Sequence, residues 1–169
     1  MHTMPMDLVT LLRRDHTDIQ HELTRLLDSA ATTEELRTGL DGVRLGLTAH
    51  AEALDIVLAR FDVVPALRGP LGAAHAAHVA QARALSALVS SRPGSTTWRD
   101  RAGHLRELIA AHAEHEETTL IAALRQHLPV VLYAQLAGAF ATERLRQLAM
   151  LQPSSPIFIA DYAAEARAS

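Results

Sequence analysis

Ten histidines stand in a chain of 169 residues that holds no cysteine and only six aromatic residues of the Phe, Tyr and Trp types. An imidazole moves protons near neutral pH and ligates metals through either ring nitrogen, so the spacing of these residues is the first thing to read. His16 and His50 lie about 34 positions apart, and so do His78 and His112, which reads as an internal repeat. Folded near Ser29 and Ser91, each pair forms the two arms of a helical hairpin, with its histidines ~20–26 Å from the turn. Two such hairpins side by side bring four imidazoles to one level. All four sit on apolar stripes: Leu12, Ile19 and Leu23 accompany His16, and Val43, Leu47 and Val57 accompany His50. Leu71 and Leu85 accompany His78, and Leu105, Leu108 and Leu120 accompany His112. A lone core histidine is ordinarily satisfied by a backbone carbonyl or a tyrosine. Four desolvated imidazoles without partners cost several kcal/mol, and metal binding removes that cost.

Carboxylates complete the donor set. Glu116 follows His112 by four residues, so both reach one centre from one helix face. The position four after His50 is Leu54, and Asp55 comes next. In a straight helix the fifth residue points ~140° away, so Asp55 reaches the centre only through a local π-bulge in that helix. Glu117 has the same relation to His112 and is expected on the helix flank or hydrogen-bonded behind a ligand. His75, three before His78, is either a further ligand or a partner of one, and His115 is expected behind a ligand. His2, His21, His104 and His127 have no place in the pattern. The candidate metal-binding set is therefore His16, His50, Asp55, His75, His78, His112 and Glu116. Imidazole and carboxylate without thiolate suit iron or manganese, and zinc less selectively. More than four ligands argue against a closed tetrahedral zinc site.

The elements that must hold these residues are helices. Hydrophobic residues make up 49% of the chain; Ala and Leu dominate them and favour helix. Apolar periodicity predicts helices over roughly 6–28, 33–61, 71–91 and 96–128, the second opened by a Thr32–Glu35 capping box. Pro65, Gly69 and Pro70 read as a loop, and Pro129 as the start of a fifth helix reaching about Met150. The tail with Ile157–Ile159 and Tyr162 reads as a strap or a partner contact. The expected architecture is all-α: an antiparallel up-down four-helix bundle over 1–128, with an additional C-terminal helix and tail over 129–169 packed on it. Net charge is −3, so no basic field draws in nucleic acid or an acidic membrane. No signal peptide and no spanning apolar run are read, and a cytoplasmic protein is expected.

The ordered set is similar to the hemerythrin family in its bacterial HHE cation-binding form. Asp15-His16 within Leu-Leu-Arg-Arg-Asp-His, His50, His78, and His112-Ala-Glu-His-Glu116-Glu117 match that family's order over roughly 6–128. The resemblance implies a hemerythrin-like bundle and two iron ions, oxo- or hydroxo-bridged. It also implies a non-haem diiron protein that binds or processes O2, peroxide or nitric oxide, with peroxidase-like turnover drawing on an electron donor as one form. An oxygen or iron sensor without turnover is the alternative. Two departures stand out. Leu54 replaces the glutamate of the second motif: Asp55 has taken its role, or the site has lost a bridge, or the leucine is an introduced ligand deletion. The second departure is the spacing of three between His75 and His78, where family members with two histidines on that helix have four.

Overall fold

The computed structural model describes residues 7–152. Among them are six α-helices, one 3-10 turn, one π turn and no strand. Helix α1 spans Leu8–Leu26. Helix α2 spans Thr33–Leu58, and its first turn is held by the capping box: Thr32 accepts from the Glu35 amide, and the Glu35 carboxylate accepts from the Thr32 amide at 2.7 Å. A 3-10 turn, Ala59–Phe61, closes α2.

Helix α3 spans Pro65–Val89, six residues longer at its start than the sequence suggests. The expected loop at Pro65–Pro70 is helical. Pro65 takes the first helical position, where no amide bond is lost. Pro70 forgoes one bond to the Ala66 carbonyl, on an exposed turn where water can replace it. Leu67, fully buried, holds that turn against the core.

Helix α4 spans Thr96–His115, with Ser95 accepting from the Trp98 amide. It runs into a π turn at Glu116–Leu120 and then α5, Ile121–His127. Helix α6 spans Val130–Leu151 and starts at Pro129 as anticipated. The tail residues Ile157–Ile159 and Tyr162 lie outside the described residues. No described helix is long and apolar enough to cross a membrane.

The contacts give the helix directions. Moving back along α1, the Leu26 carbonyl meets Trp98, His16 meets Glu117 and Asp7 meets Arg125, so α1 and α4 run antiparallel. Helices α1 and α2 are antiparallel too. A Cβ on Gly39 would lie 2.8 Å from Leu26, and one on Gly46 3.4 Å from Ile19, while His16 and His50 meet further along. The missing side chain at Gly39 is what permits this close approach near the turn. Helix α6 packs on α2 and α1.

The core falls into two apolar clusters. One, around Leu12, Leu54, Leu58, Leu67, Leu120, Leu124 and Phe140, lies toward the start of α1. The other, around Ile19, Leu23, Val43, Leu85, Trp98 and Ile109, lies toward the α1–α2 and α3–α4 turns. Trp98 is fully buried there, and its indole N–H donates to the Leu26 carbonyl at 3.0 Å. The polar layer between the two clusters is the site.

Candidate metal centre

His16, His50, His78 and His112 are each at most 5% exposed, and Glu116 is 0% exposed. One from each of α1 to α4, the imidazoles converge on the Glu116 carboxylate at the start of the π turn. Nε2 of His16 and of His50 lie 3.1 and 3.2 Å from Oε2. Nε2 of His78 and of His112 lie 3.2 and 2.8 Å from Oε1. One carboxylate thus faces two histidine pairs, one pair per oxygen. Donor atoms from His16, His50, His112 and Glu116 fall within 4.8 Å of one another, a group that could hold a metal ion.

Three of the four imidazoles are oriented from behind. His16 Nδ1 meets Glu117 Oε1 at 2.8 Å, and Arg13 donates to the other Glu117 oxygen. His50 Nδ1 meets Asp15 Oδ2 at 3.3 Å, and Arg144 of α6 donates to that oxygen at 2.5 Å. His78 Nδ1 meets Asp55 Oδ1 at 2.9 Å. Donating Nδ1–H outward to a carboxylate leaves the Nε2 lone pair facing inward, the tautomer a metal requires.

The titration behaviour follows from the same contacts. Burial works against a charged His50, but Glu116 and Asp15 outweigh it and hold its pKa at about 9. Burial also opposes charge on His78, where Asp55 and Glu116 prevail and raise the pKa. For His112 burial wins, and its pKa is lowered. Burial raises the Glu116 carboxyl, yet His50, His112 and His16 together hold it well below its ordinary range.

Hydrogen bonding within the cluster leaves gaps. Nε2 of His78 and of His112 and Oε1 of Glu116 are buried, close together and outside hydrogen-bond geometry. Buried polar atoms without partners cost ~1–3 kcal/mol each. Three of them aimed at one point fit ligands around a common cation. Four carboxylates (Asp15, Asp55, Glu116 and Glu117) stand against two guanidinium groups, Arg13 and Arg144. With neutral imidazoles that balance is negative and favours a cation.

The anticipated π-bulge is not in α2, which is α-helical throughout Thr33–Leu58. It is in the fourth helix, where the wider turn, ~4.4 residues, carries Glu117 round to His16. Without a bulge, Asp55 stays on the α2 flank, half-buried behind His78. Both its oxygens are engaged by Nδ1 atoms, of His78 and of His75, at 2.9 Å each. His75 is 66% exposed at the side chain and faces Asp55. His115 is partly buried, and His21, His104 and His127 are exposed. Leu54 is buried in the apolar cluster below the site; of Leu108 and Ile109, both expected to face inward, Ile109 is buried and Leu108 only half-buried.

Three features escaped the sequence reading. Asp15 was visible only as the neighbour of His16. Its position predicts a direction toward α2, which is the one usable signal. Arg144 gives no signal, since its partner is set by how α6 docks. Gln81 looks like an ordinary polar residue, yet it is 1% exposed.

Two cavities of about 420 and 430 Å³ lie along the α2–α3 seam, on either side of the Asp55–His75 pair. The first is lined by Leu47, Ala51, Val79 and Leu85 and reaches His78.

No family model matches the chain, and no solved structure matches it. The chain is similar to a protein named DNA nickase from Nostoc sp. (strain PCC 7120 / SAG 25.82 / UTEX 2576), 27% identical over 140 residues. That stretch is 80% of this chain but 38% of the relative, so the chain spans well under half of the relative's length.

Proposed function

We propose that this chain is a dinuclear non-haem iron protein of the hemerythrin-like kind, binding or processing O2, peroxide or nitric oxide. The observation that carries the reading is the Glu116 carboxylate between two histidine pairs, His16 with His50 and His78 with His112. A carboxylate in that position can bridge two cations. Iron bound there would supply electrons and open coordination to small ligands. The chain's own residues do the rest. The four imidazoles and Glu116 hold the cations, and Glu117, Asp15 and Asp55 orient His16, His50 and His78. The apolar clusters on both sides exclude bulk water. The seam cavity beside His78 gives a small ligand a route inward. Turnover of peroxide or nitric oxide further requires an external electron donor.

A sensing role is the second reading, favoured by α6. Phe140 stacks edge-on against His50 at 5.8 Å, and Arg144 reaches His50 through Asp15. A change at the centre is therefore felt directly by the C-terminal helix. The relative's printed name raises DNA nicking as well. Hydrolysis at this centre requires a phosphodiester to reach atoms that are buried under four helices, in a chain of net charge −3, so the geometry does not favour it.

The test is metal content with an optical spectrum on aerobically purified protein. Two irons per chain and near-ultraviolet absorption are expected, with loss of metal in His112→Ala and retention in His127→Ala. Stoichiometric zinc without iron, or equal iron in the two variants, overturns the reading. Reduction of peroxide or nitric oxide with a chemical reductant separates turnover from sensing, and relaxation of supercoiled plasmid tests nicking.

A further inference from the structure

Gln81 is the one buried side chain in the described residues whose amide nitrogen and amide oxygen both lack a partner. It lies on the inward stripe of α3, among Leu67, Ala74, His78, Leu85 and Leu88, and is 1% exposed. Its register puts it beside the centre. It follows His78 by three residues, ~60° round and ~4.5 Å along the helix. Helical side chains lean toward the N-terminus, so this amide leans back over the level of the four histidines.

The other helices set large apolar residues at that level. The residues one step from the histidines in the same direction are Ile19 after His16, Leu47 before His50 and Ile109 before His112, all buried. An unpartnered amide in an apolar layer costs ~1–3 kcal/mol, and a leucine at this position would avoid that cost. Other buried atoms without partners, among them Nε2 of His78 and both ring nitrogens of His112, belong to the centre, so the polar surroundings of the amide are the centre and what it holds. The seam cavity, lined by Leu47, His78 and Leu85 among others, reaches the centre at His78.

We propose that Gln81 is the hydrogen-bonding residue for the small exogenous ligand of this centre. Its amide N–H donates to an anionic or strongly dipolar diatomic or triatomic ligand held at the centre. The inference rests on the dinuclear metal reading above and adds a residue that discriminates among ligands. It predicts tighter binding of species that accept a hydrogen bond, such as peroxide or azide, than of carbon monoxide.

Azide is the probe, titrated into metal-loaded full-length protein and followed by its charge-transfer band and its infrared asymmetric stretch. Gln81→Leu is expected to keep the wild-type metal content and to melt no lower than wild type. It should bind azide about tenfold more weakly, equivalent to ~1.4 kcal/mol, and lose the shift in azide stretch that wild type shows on exchange into D2O. Gln81→Leu with full metal content, wild-type azide affinity and an unchanged stretch overturns the inference and leaves the metal reading standing. Loss of metal from both Gln81→Leu and Gln81→Met also overturns it, because Gln81 then supports the centre rather than its ligand. Wild-type protein that takes up no metal overturns both.

Discussion

A cation entering the histidine–carboxylate cluster must compete with protons, and the pH dependence of its uptake can be worked from the centre itself. The perturbation is pH, applied to metal-free and metal-loaded protein side by side. Without metal, burial disfavours charge on His50, but Glu116 and Asp15 raise its pKa to about 9. Unfolded, an imidazole titrates near ~6.5. Because the folded value lies above the unfolded one, the His50 proton stabilises the metal-free fold fully below pH ~6.5. That contribution disappears as pH rises through about 9. The difference between the two values corresponds to about 3 kcal/mol, entered once, since the same attraction is what lowers Glu116. His78 is displaced in the same direction, with Asp55 and Glu116 overcoming burial. Glu116 and Asp55 are held below their ordinary values. Their contribution is present above pH ~4.5 and is lost as pH falls through the lowered folded values. Metal-free protein is therefore most stable between about pH 4.5 and 6.5. Ligation needs the Nε2 lone pair, so an entering cation must displace the His50 proton. Apparent metal affinity should rise about tenfold per pH unit between roughly 7 and 8.5 for each proton displaced, and level off near 9. The assay is calorimetric titration in two buffers of different ionisation enthalpy, which counts released protons, alongside thermal melts with and without metal. The melting temperature of the metal-free form should fall across that range while its gap to the loaded form widens. Asp15→Asn removes one of the carboxylates that raise His50, so its plateau should come at lower pH. Affinity that is flat from pH 6.5 to 9 with no proton release refutes the reasoning. So does a metal-free fold that gains stability over the same range.

Two further predictions concern the surroundings of the site. Asp55→Asn leaves His78 Nδ1 without its carboxylate, and metal affinity should fall ~10–100-fold, read by competition with a coloured chelator; unchanged affinity would mean that Asp55 does not orient His78. Trp98→Ala empties the fully buried indole site beside Leu26 and orphans the Leu26 carbonyl. It should cost ~3–5 kcal/mol in denaturant unfolding without changing metal stoichiometry, because Trp98 belongs to the turn-side cluster rather than to the centre.

The histidine level was legible because helix geometry is regular. Equal spacing about two turns, and apolar neighbours three and four residues away, place His16, His50, His78 and His112 with no tertiary information. Glu116 was legible for the same reason, being one turn from His112 on the same face. Asp55 shows where regularity misleads. The position five after a histidine needs a wider turn to face inward, and nothing local in α2 or α4 says which of them bends. The π turn formed in the fourth helix, where it brings Glu117 to His16. In α2 the straight helix keeps Leu54 in the core and Asp55 on the flank. Pro70 misled in another way: a proline reads as a stop, but its lost bond falls on an exposed turn while Leu67 is buried.

By itself, then, the sequence determined an all-helical chain, the four histidines of one layer and the carboxylate that joins them, because each depends on periodicity within a helix. Only the tertiary structure decided which carboxylate stands behind which imidazole, that Arg144 of α6 anchors Asp15, and that Gln81 is left without a partner. Those outcomes depend on how helices far apart in sequence are rotated and docked against one another. That rotation is set by the sum of many weak apolar contacts, which no local pattern records.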